Sequence, residues 1–272
     1  MSDKKKLLSD AKQWVEQEKV WDDSLYATSR PSSPAAAGRG SPSVPPPPCT
    51  PTKSPEKAAA LKALYERYKD CTRCALGNTR IKFVFGVGNP DSEVLFIGEG
   101  PGYEEDRRGE PFVGKAGQLL DKMMAAIQLS RQTNAYIANI VKCHPMANPQ
   151  TPEARGNDRA PSPEEVETCA PILLQQILIM KPRVIMTLGS PSTKMILKTK
   201  DGITGLRGKF FPFPVDQHYP LISAVPISPE ERTALSKIQV LPTYHPAALL
   251  RNPNLKPESW EDLKLLRVTL QK

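Results

Sequence analysis

Four cysteines are spaced Cys71-x2-Cys74, then Cys143 and Cys169. In a reducing compartment that set matches one four-thiolate site, and zinc or an iron-sulfur cluster accepts it equally on spacing alone. Such a site would tie the segment holding Cys71 and Cys74 to the distant segments holding Cys143 and Cys169, a structural role. A second constellation is GEGPGYEEDRRGEPFVGKAGQLL, residues 98–120, whose glycines and following helix start offer backbone amides to an anion. Two familiar phosphate patterns fail there. A dinucleotide fingerprint needs glycine where Tyr103 stands, and Gly109-x4-Gly114-Lys115 continues with Ala116 instead of the Ser or Thr that a P-loop places on magnesium. What remains is a flexible loop carrying Glu99, Glu104, Glu105, Asp106 and the aromatic Phe112. Glu104 and Asp106 read as solvated charges, and Phe112 reads equally as core or as a platform for a base face. His245, in LPTYHPAALLRNP (241–253), is the best placed of three histidines, either structural or a donor in chemistry. Asn139, inside the apolar run AYIANIV, needs a partner for a buried amide, supplied by a structural hydrogen bond or by a ligand. His144 is an alternative metal ligand beside Cys143, and His218 shows no chemical partner.

The elements that must position these groups alternate along the chain. Short β-rich runs occupy 93–99, 135–141, 183–189 and 238–245. Helical patterns occupy 116–127, 163–181 with Ser162 as cap, 191–197, and 259–270 with Ser259 as cap. Strand-helix alternation predicts an α/β fold with a mainly parallel four-stranded sheet covered on both faces. Glu99, Asn139, Ser190 and His245 then fall at or near the carboxyl ends of the strands, the edge where open α/β sheets place ligands. Residues 202–236, rich in proline and aromatics, read as a long loop or insertion.

The chain has 272 residues, more than the roughly 150 of a typical single domain. Its 39% hydrophobic content falls below the usual ~45%, and its 29 prolines are about twice the usual ~5% share. The deficit is local. Residues 28–57 hold nine prolines and one large apolar residue, Val44, and predict a disordered linker with a reach on the order of 90 Å at ~3.1 Å per residue. Cys49 inside it is incidental. Before it, Leu7, Leu8, Ala11, Trp14, Val15, Trp21 and Leu25 suit an amphipathic helix over 1–27, docked on its own core or on a protein partner. Residues 58–272 form the expected folded domain. A net charge of +8 favours anionic partners such as nucleic acid, although many enzymes are this basic. The longest hydrophobic run, Met123 to Ile127, is far short of the ~20 residues that span a membrane. No apolar segment of a secretory signal follows the basic start, so the cytoplasm is the expected compartment.

Together, the 98–120 motif, the NIVKC segment (139–143), the cysteine pattern and LPTYHPAALLRNP resemble the family 4 uracil-DNA glycosylases, which carry a 4Fe-4S cluster. The likeness covers about residues 66–272. It implies a three-layer α/β/α sandwich of uracil-DNA glycosylase type, acting as a monomer on uracil-containing DNA. The implied reaction is hydrolysis of the N-glycosidic bond of a flipped-out uracil, leaving an abasic site with no strand cut, within base-excision repair. The same resemblance assigns the cluster to Cys71, Cys74, Cys143 and Cys169. It also implies that Phe112 stacks on uracil, that Asn139 reads its Watson-Crick edge, and that Glu105 crowds the thymine methyl. Glu99 and Gly100 would line the pocket near the attacking water, His245 would stabilise the departing uracil anion, and Asn148 would be a further pocket residue. Leu249, Leu250 and Arg251 are the wedge candidates that fill the gap in the duplex. The chain departs from the family pattern in three places. Cys143 and Cys169 are separated by 25 intervening residues, with Thr151 to Pro161 as the insertion; 208–236 is longer than usual; and 1–57 has no counterpart in the shorter members. Two rivals follow from the residues: a metal-stapled DNA-binding module without catalysis, and a nucleotide-phosphate enzyme using the 98–120 loop.

Overall fold

The computed structural model describes residues 54–152, 154–222 and 227–271. The helix expected over 1–27 and the linker expected from 28 lie outside the described residues up to 53. Ser54 already precedes a helix, so the folded part opens three residues before the expected boundary at 58.

One sheet is built from β1 (Val87–Gly88), β2 (Val94–Gly98), β3 (Ala135–Asn139), β4 (Val184–Leu188), β5 (Phe211–Pro212) and β6 (Gln239–Thr243). Its order is β1-β3-β2-β4-β6-β5. The four central strands run parallel, as the alternation predicts, and every residue of β2, β3 and β4 is buried, which is why these runs read as continuously apolar. The expected four strands become six because two-residue segments pair antiparallel at each edge. Such short stubs carry too few residues to show a period of two.

The helices are α1 (Pro55–Tyr68), α2 (Leu76–Thr79), α3 (Tyr103–Arg108), α4 (Lys115–Ala126), α5 (Pro163–Met180), α6 (Ser190–Leu197), α7 (Ile203–Leu206), α8 (Val215–Ile222), α9 (Pro229–Ser236), α10 (Pro246–Arg251) and α11 (Lys256–Leu270). Because side chains alternate across a strand, Leu95, Ile97, Tyr136, Ala138, Ile185 and Val240 share one face and pack with Leu61 and Leu64 of α1 and Leu173 and Ile177 of α5. Their neighbours Phe96, Ile137, Met186 and Leu241 are equally buried toward the other face, as are Leu120 and Met123 of α4 and Leu263 and Leu266 of α11. This is the three-layer α/β/α arrangement. α5 starts at a capping box in which Glu165 N donates to Ser162 Oγ at 3.2 Å and Ser162 N donates to Glu165 Oε2 at 2.8 Å.

Two expectations are corrected. Residues 202–236 are not one long loop: they hold α7, β5, α8 and α9, and α9 has its own capping box between Ser228 and Glu231. Ser259 does not cap the last helix, which begins at Lys256; it is fully buried and its hydroxyl bonds Thr243 Oγ1 at 3.0 Å.

That contact belongs to a buried latch. Arg207 donates from Nε and Nη2 to the two Asp262 oxygens at 3.0 and 2.6 Å, and Thr243 donates to Asp262 Oδ2 at 2.7 Å. The latch ties α7 and α11 to the end of β6, two residues before His245. Removing one partner of a buried ion pair leaves the other charge uncompensated. Arg207→Ala should therefore lower the unfolding free energy by about 3–5 kcal/mol, measured by urea titration; a change within 0.5 kcal/mol, the range of neutral surface substitutions, would show that the latch is not a stabilising element.

Candidate active site

At the carboxyl ends of β2, β3 and β6 lies a cavity of about 330 Å³, walled by Glu99, Gly100, Glu105, Phe112, Asn139 and His245 among others. Six of the expected site residues thus meet in one hollow. Phe112 and His245 stand with ring centroids 5.5 Å apart, their planes tilted by 33°.

Phe112 holds a backbone φ of 55°, in the left-handed region that a bulky residue seldom occupies. Arg131, itself buried, compensates: Nη1 donates to Pro111 O at 2.8 Å and Nη2 to Phe112 O at 2.7 Å, while Nε donates to Asp121 Oδ1 at 2.9 Å. Two glycines clear the space. A Cβ on Gly117 would lie 1.9 Å from Phe112 O, and one on Gly98 would lie 2.5 Å from both Phe112 Cζ and Asn139 Oδ1. Phe112 is consequently both buried and a wall of the cavity, which resolves its two sequence readings together.

Asn139 ends β3 and is almost fully buried, yet its Oδ1 has no hydrogen-bond partner among the described residues. An orphaned buried acceptor costs about 1–3 kcal/mol, and in a cavity wall it is free to accept from a molecule that enters. The backbone of Asn139 is fixed from below: buried Lys142 donates from Nζ to Asn139 O at 2.9 Å and to Gln176 Oε1 at 2.7 Å. His245 caps α10, its Nδ1 accepting from Ala247 N at 3.1 Å. The ring proton therefore sits on Nε2. Burial, helped by the Arg251 charge, pushes the His245 pKa down to about 4, so the ring is a neutral donor at neutral pH.

Four carboxylates surround the cavity, and three have partners. Glu105 accepts from the amides of Gly102, Val113 and Gly114 at 3.2, 2.8 and 2.8 Å. Glu104 pairs with Arg155 at 3.3 Å. Asp158 bonds His144 Nε2 at 2.6 Å, which holds its carboxyl below the usual range, and Asp158 with Asp106 raises His144 to about 9. Glu99 alone among these has no side-chain hydrogen bond or ion pair among the described residues, and burial raises its pKa above the ordinary carboxylate value.

The four cysteines are all unpaired thiols. Cys143 and Cys169 are pushed up to about 12 and about 11 by burial, and each feels the charge of neighbouring thiols: Cys169 and Cys74 act on Cys143, Cys74 and Cys71 on Cys169. Cations face them. Arg80 Nη1 lies 3.5 Å from Cys143 Sγ, Arg73 Nε lies 3.5 Å from Cys71 Sγ, and the Lys142 charge acts on Cys169. Among the described residues, no three His, Cys, Asp or Glu side chains converge closely enough to hold one ion.

Several expectations are revised. Asn148 is exposed and lies outside the cavity wall, its backbone clamped by Asn157. Leu249 is fully buried because the helical phase set by the His245 cap turns it inward; Leu250, 41% exposed, and Arg251 face out. Asp106 is buried rather than solvated, accepting from Ile81 N and Lys82 N at 3.0 and 3.2 Å. His144 Nε2 bonds Asp158 at 2.6 Å, and His218 has a partner after all, stacking on Phe213 with its Nε2 2.8 Å from Ile196 O. The insertion 151–161 does not simply loop out: its Asp158, Arg159 and Pro161 line the cavity. Nothing in their spacing announced this, since the contact depends on the Met146–Asp158 bridge.

Fold and site define an α/β/α protein whose rim pocket is lined by the aromatic rings of Tyr103 and Phe112, the Asn139 amide and a neutral imidazole. Residues 85–264 match the model of the uracil DNA glycosylase superfamily. The type-4 uracil-DNA glycosylase of Sulfurisphaera tokodaii is 36% identical over 212 residues, covering 76% of this chain and 84% of that protein. Those of Archaeoglobus fulgidus and Thermotoga maritima are 36% and 38% identical, covering 75% and 71% of this chain and 90% and 84% of theirs. The chain belongs to the uracil-DNA glycosylase superfamily and, within it, to the type-4 enzymes, as the sequence motifs imply. Among the described residues, no helix is long and apolar enough to cross a membrane.

A nuclear magnetic resonance titration checks the electrostatics. The His245 ring should stay neutral, with the proton on Nε2, down to a midpoint near pH 4; a midpoint near the ordinary ~6.5 would contradict the neutral donor.

Proposed function

We propose that this cavity hydrolyses the N-glycosidic bond of uracil extruded from DNA, releasing free uracil and leaving an abasic site for base-excision repair. The observation that carries the reading is the orphaned Asn139 amide opposite Phe112 and beside a neutral His245. A base inside a duplex is out of reach, so the nucleotide must flip out, at a cost of a few kcal/mol that stacking on Phe112 offsets. Asn139 Oδ1 accepts from uracil N3–H while its amide NH2 donates to O4. Cytosine reverses both polarities, and a buried mismatch of that kind discriminates by up to about 10⁴-fold. Glu105, its carboxylate held by three backbone amides, forms a stiff wall suited to crowding the C5 side of the base.

As the bond from C1′ to uracil N1 breaks, its electron pair leaves with the base. His245 Nε2–H faces the O2 where negative charge grows, and a preorganised donor of this type contributes about 10²–10³-fold. A neutral imidazole keeps its proton and needs no reorganisation. Glu99, the carboxylate without a side-chain partner among the described residues, stabilises the positive sugar and takes the proton of the water whose oxygen bonds C1′; Gly100 leaves room beside it. On α10, exposed Leu250 and Arg251 are suited to fill the vacated stack, and buried Leu249 supports them.

Cys71, Cys74, Cys143 and Cys169 suit a 4Fe-4S cluster: four unpaired thiols on three separate segments, with Arg73, Arg80 and Lys142 placed to offset thiolate charge. When bound, it would supply cross-links between the segments. Unpaired thiols also fit a reducing compartment such as the cytoplasm. The phosphate-enzyme rival loses support because Glu105 already occupies the loop amides a phosphate would need.

An oligonucleotide with one uracil, incubated with the protein and then treated with alkali, should break at that position only, and His245→Ala should slow excision about 10²–10³-fold while DNA binding is kept. Intact strands with the wild type would favour the non-catalytic binding module. The purified protein should be brown and carry iron with inorganic sulfide; stoichiometric zinc in a colourless protein would overturn the cluster.

A further inference from the structure

A second hollow of about 700 Å³ lies away from the catalytic cavity, between α1, the segment 80–86 and the end of α3. Its floor is aromatic. Tyr65, 37% exposed, meets Phe85 edge-on at 5.7 Å and Phe83 at 6.3 Å. Its rim is basic, with Arg80, Lys82 and Arg108 beside the carboxylate Asp70, while Lys69 is paired with Glu66 at 2.9 Å. Arg80 is locked over the Phe83 ring at 5.5 Å by donating to the carbonyls of Cys71, Gly77 and Lys69 at 2.6, 3.0 and 2.8 Å. Lys82 is exposed, has no ion-pair partner among the described residues, and lays its stem along Gly109. Arg108 is 61% exposed and only loosely paired, 3.9 Å from Glu104.

The groove and the catalytic cavity are joined by α3: its first residues, Tyr103 to Glu105, line the cavity, and Arg108 with Gly109 lines the groove. Six helical residues rise ~9 Å, which equals about three nucleotides of stacked strand at ~3.4 Å each. A strand whose uracil sits against Phe112 therefore passes within reach. Aromatic rings in a positively charged groove are the combination that holds single-stranded nucleic acid without regard to sequence, rings under base faces and cations on phosphates.

We propose that the Tyr65–Lys82–Arg108 groove is a DNA-strand subsite that grips nucleotides flanking the extruded uracil. It rests on the glycosylase reading, and the test keeps the two apart by using uracil-free DNA. Fluorescence anisotropy with a uracil-free single-stranded oligonucleotide reads the groove alone. Lys82→Glu should weaken binding and lower the salt slope by about 0.7. Tyr65→Leu, which keeps apolar bulk, should weaken binding roughly ten-fold, within the range of base–aromatic stacking. On a long uracil substrate both variants should raise KM and leave kcat. On a uracil substrate of three nucleotides, too short to fill the groove, they should match the wild type. Unchanged binding of uracil-free DNA by both variants would overturn the subsite and leave an acidic protein partner as the groove's occupant. Equal losses on long and short substrates would overturn it as well, since they would report damage to the cavity. Absent excision by the wild type, with DNA binding still sensitive to Lys82→Glu, would refute the glycosylase reading and keep the groove.

Discussion

The hydrogen bonds from Arg131 to the carbonyls of Pro111 and Phe112 are the constraint on which the site depends. They hold a phenylalanine in a backbone conformation costing of order 1–3 kcal/mol that its own sequence would not choose. Without that clamp the loop would relax, and the ring would leave both the cavity and His245. Asp121 aims the guanidinium, so α4, the strained loop and the segment before β3 act as one unit. Gly98 and Gly117 make the same statement sterically, because a methyl group at either would meet Phe112 or Asn139.

Charge is arranged with equal care around the cavity. Backbone amides, Arg155 and His144 engage Glu105, Glu104 and Asp158, which leaves Glu99 as the cavity carboxylate without a side-chain partner among the described residues. His245 stays neutral beside it. In the proposed reaction a neutral imidazole donates to the growing oxyanion while Glu99 faces the sugar, so the two groups would serve opposite charges of one transition state.

Much of this was legible in the sequence. Buried parallel strands announce themselves as unbroken apolar runs, and the positions of Glu99, Asn139 and His245 at strand ends follow from where those runs stop. Long motifs carried the family. What was hidden depends on tertiary contact. Adjacent Leu249 and Leu250 look alike until the cap at His245 fixes the helical phase, which turns one inward and the other out. Asp106 sits in a charged run and reads as solvated, yet two amides from residues 81 and 82 draw it into the core. Proline-rich 202–236 reads as loop because its helices are short, although Ser228 and Glu231 carry a capping box. Arg131 and the cavity-facing end of the insertion gave no local signal, because their partners lie far along the chain.

The proposed reaction turns on where a uracil ring lies. A crystal structure with bound uracil tests it directly: the ring should lie flat against Phe112, its N3 and O4 should meet the Asn139 amide, and its O2 should be within hydrogen-bond distance of His245 Nε2. A ring bound elsewhere, or seated edge-on to Phe112 with His245 unengaged, would contradict it.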